Sequence, residues 1–225
     1  MADKPMRLFH PILTGAHFSD RLIACIGAIV GIGLTIALSQ YVAPHSAVFP
    51  LIAAPLGASA VLIFAVPASP LAQPWPVLGG NVISVLVGVT LYHLVPDPLW
   101  AAALAVGCAI LLMSLLQCLH PPGGAAALTA VIGGPPIHDL GYSFAFMPVG
   151  INCLALLSVA LIFHRFSRHS YPHKAAPIVP TGLHLADIDA ALEDMHESFD
   201  ISREDLDALL TRAEHHAAQR GAKLR

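Results

Sequence analysis

The chain has 225 residues, 56% of them hydrophobic and only 11% charged, with a formal net charge of −3. Soluble domains carry about 25% charged residues, yet between Leu22 and His164 there is no Lys, Arg or Glu, and the only Asp residues are Asp97 and Asp139. A water-facing surface of that length needs charge to stay dispersed and a lipid-facing one does not, while the lack of a basic patch excludes nucleic acid as a partner.

In chain order, residues 1–20 are a mixed arm with Pro5, Pro11 and Asp20, without the charged, apolar and cleavable pattern of a signal peptide. A membrane-spanning helix needs roughly 20 apolar residues. Residues 22–42, 77–95, 99–119 and 144–163 meet that requirement. Two further apolar stretches are broken. Residues 48–66 contain Pro50, Pro55 and Gly57, and residues 120–133 open with Pro121, Pro122, Gly123 and Gly124. Proline lacks a backbone donor and disfavours helix just before it. Each broken stretch is therefore expected to begin extended and to become a short helix, over 56–66 and 123–133. Each such helix is about 16 Å long at 1.5 Å per residue, half a membrane.

The membrane domain, 21–165, reads as two repeats, 22–95 and 99–163. Each has the order long helix, broken half-helix, long helix. Pro55-Leu56-Gly57-Ala58-Ser59-Ala60 aligns with Pro122-Gly123-Gly124-Ala125-Ala126-Ala127, and Gly79-Gly80-Asn81 with Gly150-Ile151-Asn152. Lys4, Arg7 and Arg21 precede the first span and Arg165, Arg168 and Lys174 follow the last, so the positive-inside rule puts both termini in the cytoplasm. An even number of crossings follows, four or six. Six is preferred, because it makes the repeats inverted, a recurring transporter plan, and puts Asp97 and Asp139 outside. A linker, 166–182, with Pro172, Pro177 and Pro180 leads to a soluble helical tail, 183–225. One apolar stripe there is Leu185, Ile188, Leu192, Met195 and Phe199; a second is Leu206, Leu209, Leu210, Ala213 and Ala217. Ser202-Arg203-Glu204-Asp205 is a capping box. The stripes call for a partner surface, most simply a homodimer or higher homo-oligomer.

His120-Pro121-Pro122-Gly123-Gly124-Ala125-Ala126-Ala127-Leu128 resembles the motif that gives the HPP family of membrane proteins its name. Phe49-Pro50-Leu51, Gly57–Leu62, Ser69-Pro70-Leu71-Ala72-Gln73-Pro74 and Gly79-Gly80-Asn81 resemble a second block of that family. The resemblance covers about 20–165. It implies a helical membrane protein, usually described with four helices, and a transport role with nitrite as leading substrate, the link known for chloroplast members. It also implies placement here in a bacterial inner (plasma) membrane. Some relatives carry nucleotide-binding CBS domains; this chain has the helical tail instead.

The residues make their own case for a small monovalent anion. A helix N-terminus presents unpaired N–H groups and about half a positive charge, and glycine lets an anion approach them. Half-helices starting at Gly57 and at Gly123-Gly124 can aim two such ends at one site, with Ser59, Asn81 and Asn152 as neutral donors. Close helix packing is the alternative role for those glycines. His120 is an ionisable group at membrane depth, either a substrate or proton ligand or a helix cap. Pro121, Pro122, His93 and Gln117 are secondary candidates. His45 and His138 are expected in solvated loops, and His215-His216 on an exposed helical face.

No catalytic residues, metal ligands or cofactor are expected. No Glu lies in the membrane region to pair with a nucleophile or base. Cys25, Cys108, Cys118 and Cys153 sit in apolar runs without CxxC spacing and read as packing residues. The chain is thus expected to be a non-enzymatic transport protein. The competing expectation is a membrane anchor whose tail mediates oligomerisation or partner binding.

Overall fold

Proline marks one helix start after another, where its fixed φ suits the first turn and its missing donor costs nothing. The computed structural model describes residues 18–42, 49–167, 169–175, 185–195 and 199–223. Most of the N-terminal arm, His45, Arg168 and the end of the linker, 176–182, lie outside those residues. Helix α1 is Phe18–Val42, α2 Phe49–Ala65, α3 Pro74–Leu94, α4 Pro98–Leu115, α5 Pro121–Ile132, α6 Pro135–His138 and α7 Ile151–His164. Pro74, Pro98, Pro121 and Pro135 open α3, α4, α5 and α6. A 3-10 turn, Pro70–Ala72, precedes α3, and a π-helical turn, Ala145–Gly150, leads into α7. The tail comprises α8, Leu185–Met195, and α9, Arg203–Lys223. No strand occurs among the described residues.

Four helical segments there are long and apolar enough to cross a membrane: Phe18–Tyr41, Pro74–Leu94, Pro98–Leu115 and Ala145–His164. They coincide with the four spans expected from composition. The short elements differ from expectation in detail. Helix α2 is not broken at Pro55 but runs through it for 17 residues, about 25 Å. An interior proline removes one backbone hydrogen bond, and the flanking apolar turns carry the helix past it. Helix α5 starts at Pro121, two residues earlier than expected, and its 12 residues span about 18 Å. The third span ends at Leu115 rather than 119, because Gln117 takes a left-handed conformation (φ 53°) and turns the chain inward.

Helices consecutive in the chain run in alternating directions. Gly27 of α1 lies against Phe163 at the end of α7, and Ser39 donates to Asn152 at the start of α7, so α1 and α7 are antiparallel. Trp75 Nε1 at the start of α3 donates to the Leu116 carbonyl beyond α4, 3.1 Å. Helix α5 runs parallel to α3, since Gly123 meets Gly80 and Ser84 while Ala127 and Ala130 meet Gly88. The end of α7 meets the end of α2, where His164 Nε2 donates to the Ile63 carbonyl, 3.0 Å. At the far face Tyr92 stacks on His138 with ring centroids 3.7 Å apart, and Thr90 meets Tyr142. Arg21, Arg165 and the tail therefore share one face of the bundle, and the Asp97 and Asp139 turns share the other.

Small residues set the packing distance. Helix α4 buries Ala101, Ala105, Ala109 and Met113, every fourth residue, and turns Leu104, Leu111 and Leu115 outward. Hydrocarbon is as apolar as leucine, so helix association depends on close fit rather than on burying apolar area. A Cβ on Gly88 would lie 2.4 Å from the Ala127 carbonyl oxygen, so glycine there sets the α3–α5 approach. Two clusters make up the core. One joins α2, α3, α5 and α7 around Phe64, Val85, Phe144 and Leu156; the other joins α3, α4 and α5 around Val87, Met113 and Cys118.

The layout makes a labelling prediction. Single cysteines replacing Asp97 and Ser170, in a protein whose native cysteines are replaced by alanine, should react with an impermeant thiol reagent from opposite sides of the membrane. Labelling of both from one side contradicts the alternating arrangement.

Candidate functional site

Polar side chains are scarce in the bundle, and three of the buried ones meet. His120 is fully buried at the N-cap of α5, Ser59 is on the inner face of α2, and Asn81 is about two turns into α3. His120 Nδ1 lies 2.8 Å from the Leu71 carbonyl. A carbonyl only accepts, so Nδ1 carries the hydrogen and donates. In the neutral ring Nε2 then accepts from the Ser59 hydroxyl, 2.8 Å away. The Ser59 oxygen also lies 3.0 Å from the Pro55 carbonyl and accepts from Asn81 Nδ2 at 3.3 Å. Asn81 Nδ2 donates in addition to the Val77 carbonyl, 2.8 Å, which fixes which end of the amide is nitrogen. Its Oδ1 is buried and has no hydrogen-bond partner.

Asn81 also lines a small cleft among α2, α3, α5 and the turn before α7. Pro55 and Leu56 of α2, Val85 of α3, Ala126 and Thr129 of α5, and Phe144 and Val149 complete its walls. Thr129 spends its hydroxyl on the Ala125 carbonyl, 2.7 Å, and the cleft surface is apolar. The cleft has room for about one water molecule.

The structure brings His120, Ser59 and Asn81 together and separates the other candidates. Pro121 and Pro122 remove two of the first donors of α5, and the Gly123 N–H donates to the His120 carbonyl, 2.8 Å. That helix end is thus poor in free N–H groups and does not cradle an anion as expected. Gly123 is a packing residue: a Cβ there would sit 2.7 Å from Ser84 Oγ and 2.9 Å from the Gly80 carbonyl. Gly124 faces Val106 at ordinary distance, and Gly57 lies inside α2, not at a helix start, with nothing within 4 Å of its Cβ position. Its N–H belongs to a continuing helix, so the paired helix ends proposed from sequence do not exist at Gly57. Asn152 accepts from Ser39 at the α1–α7 contact. His93 is exposed at the far face, beside Tyr92 and Tyr142, and Gln117 is exposed in its turn. His138 is not simply solvated: its Nε2 donates to the Val131 carbonyl, 3.0 Å, at the end of α5. The four cysteines are free, Cys118 and Cys153 buried, and no cluster of metal-ligating side chains occurs among the described residues.

Sequence reasoning missed the loop that holds His120. Leu71 offers only a backbone carbonyl, which no motif displays. The tail grips the same loop from outside. Ser69 donates to Asp200 at 2.8 Å, Tyr171 donates to the Ala72 carbonyl at 2.8 Å, and the His173 N–H donates to Gln73 Oε1 at 2.9 Å. His173 Nε2 meets Asp205 at 2.8 Å, and the Asp205 N–H donates to Ser202, the expected cap of α9. Partial burial works to raise the Asp205 carboxyl, but hydrogen bonds from His173 and Ser202 and the imidazole charge outweigh it and hold the group below its usual range.

These features define a polytopic, all-helical integral membrane protein with a buried polar cluster among α2, α3 and the N-cap of α5. The family model for the HPP transmembrane region matches residues 14–172, and the chain belongs to that family. Two transmembrane proteins of Dictyostelium discoideum are similar to it. One is 40% identical over 144 residues, 62% of this chain and 50% of its own length; the other is 42% identical over 120 residues, 51% and 38% respectively. The chain thus matches half or less of the length of these relatives. No solved structure matches it.

Two predictions follow from this geometry. Gly123→Ala should lower the thermal unfolding midpoint in detergent, by about 1–3 kcal/mol of overpacking, while Gly57→Ala leaves it unchanged or raised; equal effects would contradict the packing assignment. A depressed Asp205 stabilises the docked tail above the ordinary carboxylate value of 3.8, and that contribution is lost as pH falls through its lower folded value. Asp205→Asn should therefore loosen the tail at neutral pH, seen as faster limited proteolysis, and flatten the acid-induced loosening of the native chain. Identical proteolysis profiles would remove Asp205 as a latch.

Proposed function

We propose that this HPP-family chain is a membrane transport protein for a small monovalent anion, with nitrite the leading cargo. The observation that carries the proposal is the His120–Ser59–Asn81 cluster, buried where α2 and α5 of the two halves converge on one cleft. Ionisable and polar groups at membrane depth are costly and mark pathways, and a cleft at a repeat interface is where transporters bind their cargo. The packing agrees with two inverted repeats: α2 lies on α1 and on α7 of the other half, as α5 lies on α4 and on α3. The absence of Lys and Arg from residues 22–164 favours a monovalent cargo held loosely enough to leave, over a multivalent one such as phosphate.

On this reading the chain is not an enzyme and needs no cofactor. It sits in a bacterial inner membrane with both termini cytoplasmic, the side its basic residues favour. Met195, Phe199 and Leu209 are exposed apolar tail residues, and we assign them to contacts within a homo-oligomer. The anchor reading has less support, because Asp200 and Asp205 engage the membrane domain and its own linker rather than standing free.

The test is uptake by the full chain in liposomes, with nitrite, nitrate, formate, chloride and phosphate compared. Nitrite flux well above protein-free liposomes and negligible phosphate flux are expected. His120→Gln and Ser59→Ala should each reduce nitrite flux by about 5- to 30-fold, the loss of one hydrogen bond of about 1–2 kcal/mol. Absence of protein-dependent flux for all five anions would favour the anchor.

A further inference from the structure

We infer that residues 69–73 form a lid over the buried polar cluster on the face that carries the tail, and that the tail and linker are the strap that holds this lid shut. Release of the strap opens His120 to water. The inference concerns access to the cluster and is independent of the transport reading above.

The first ground is where the segment lies. It joins the end of α2 to the start of α3. Ser59 precedes the last residue of α2, Ala65, and Asn81 follows the first of α3, Pro74, each by about 10 Å along its helix. His120 is closer still, because its Nδ1 donates directly to the Leu71 carbonyl, 2.8 Å. Ala72 and His120 are fully buried and Ser69 is buried. The segment meets the imidazole on one side and the tail and linker on the other, so it stands between them.

The second ground is that the segment is bonded mainly to itself. The Ser69 N–H donates to the Val66 carbonyl, 2.9 Å, and the Ala72 N–H to the Ser69 carbonyl, 3.0 Å. Ser69 Oγ accepts from the Leu71 N–H at 3.1 Å, and Gln73 Nε2 donates to the Pro67 and Ser69 carbonyls at 3.0 and 2.8 Å. Pro67, Pro70 and Pro74 have no N–H to give to neighbouring helices. A turn closed on itself in this way keeps its shape when its outer contacts are lost, and moves as one piece.

The third ground is the nature of the strap. The Ser69 hydroxyl is shared between the two carboxylate oxygens of Asp200, 2.8 and 3.0 Å away. The Tyr171 hydroxyl donates to the Ala72 carbonyl and the His173 N–H to Gln73 Oε1. The His173 ring is fixed in turn by Asp205 in the first turn of α9. Every one of these ties is polar. Helices α8 and α9 pack on each other, and Met195, Phe199 and Leu209 of the tail stay exposed. Hydrogen bonds at a part-exposed surface exchange for water at small net cost, so a strap fastened by them docks reversibly. The Leu71 carbonyl then loses its place on His120 Nδ1 when the turn lifts.

The experiment uses the full chain in mild detergent with diethyl pyrocarbonate as probe, which acylates an accessible imidazole nitrogen. The initial rate of modification at His120 is read by mass spectrometry, and tail release by limited proteolysis of parallel samples. His138, bonded to Val131 and stacked on Tyr92 at the far face, is the internal control for the fold of the bundle. Asp200→Ala removes the acceptor for Ser69, and Tyr171→Phe the donor to Ala72. Each should speed proteolysis of the tail and raise the His120 rate by at least about fivefold, the loss of one net hydrogen bond from the closed state. The His138 rate should stay as it is. The double variant should exceed either single one, and Asp200→Asn, which keeps an acceptor oxygen for Ser69, should fall between the native chain and Asp200→Ala. A freed tail with an unchanged His120 rate would overturn the lid. A tail that stays docked in the double variant would overturn the strap. A parallel rise at His138 would mean that the bundle itself has loosened, and would overturn both.

Discussion

Hydrocarbon offers no hydrogen bonds, so a polar group carried into the bilayer must find its partner within the protein. Most of the local structure follows from that constraint. Thr90, Ser114, Thr129 and Ser158 each turn the hydroxyl back onto the carbonyl four residues earlier, which lets a polar residue sit on an apolar helix. The prolines that open α3, α4, α5 and α6 occupy first-turn positions, where a missing N–H leaves no vacancy. His120 and His164 are held at both ring nitrogens. Against this background Asn81 Oδ1 stands out as a buried oxygen without a hydrogen-bond partner among the described residues of the bundle.

Where hydrophobic burial supplies little drive between helices, steric fit takes over. Gly80, Gly88 and Gly123 bring α3 and α5 to backbone contact, and the alanine row of α4 fits alongside. The consequence reaches the polar cluster: a Cβ on Gly80 would meet His120 Cβ at 2.5 Å. Gly80, rather than the glycines that first suggest an anion cradle, sets how closely the His120 side chain approaches α3. The HPP motif thus works as a unit, with Pro121-Pro122 starting α5, Gly123 seating it, and His120 entering the core ahead of it.

The 69–73 loop joins two regions of the molecule. Its Leu71 carbonyl holds His120 from within, while Ser69, Ala72 and Gln73 are gripped by the tail and linker from without. Tail and cluster therefore share a backbone segment, which gives the amphipathic tail a structural task beyond covering apolar surface.

The sequence alone determined the membrane class, the four long spans and the residues of the cluster. Lys, Arg and Glu are absent from residues 22–164, and apolar runs of 18 or more residues have few other physical solutions. His120, Ser59 and Asn81 stood out because polar side chains are rare there. Tertiary structure decided what those residues do. The course of α2 through Pro55 depends on support from packed neighbours, which a local proline rule cannot weigh. The roles of Gly57 and Gly123 depended on what stands opposite each, open space for one and Gly80 with Ser84 for the other. The orientation of the Asn81 amide depended on Val77 and Ser59, and His120 found its main partner in the Leu71 carbonyl. Backbone groups are the same at every residue, so which of them meets which side chain is a property of the packed bundle alone.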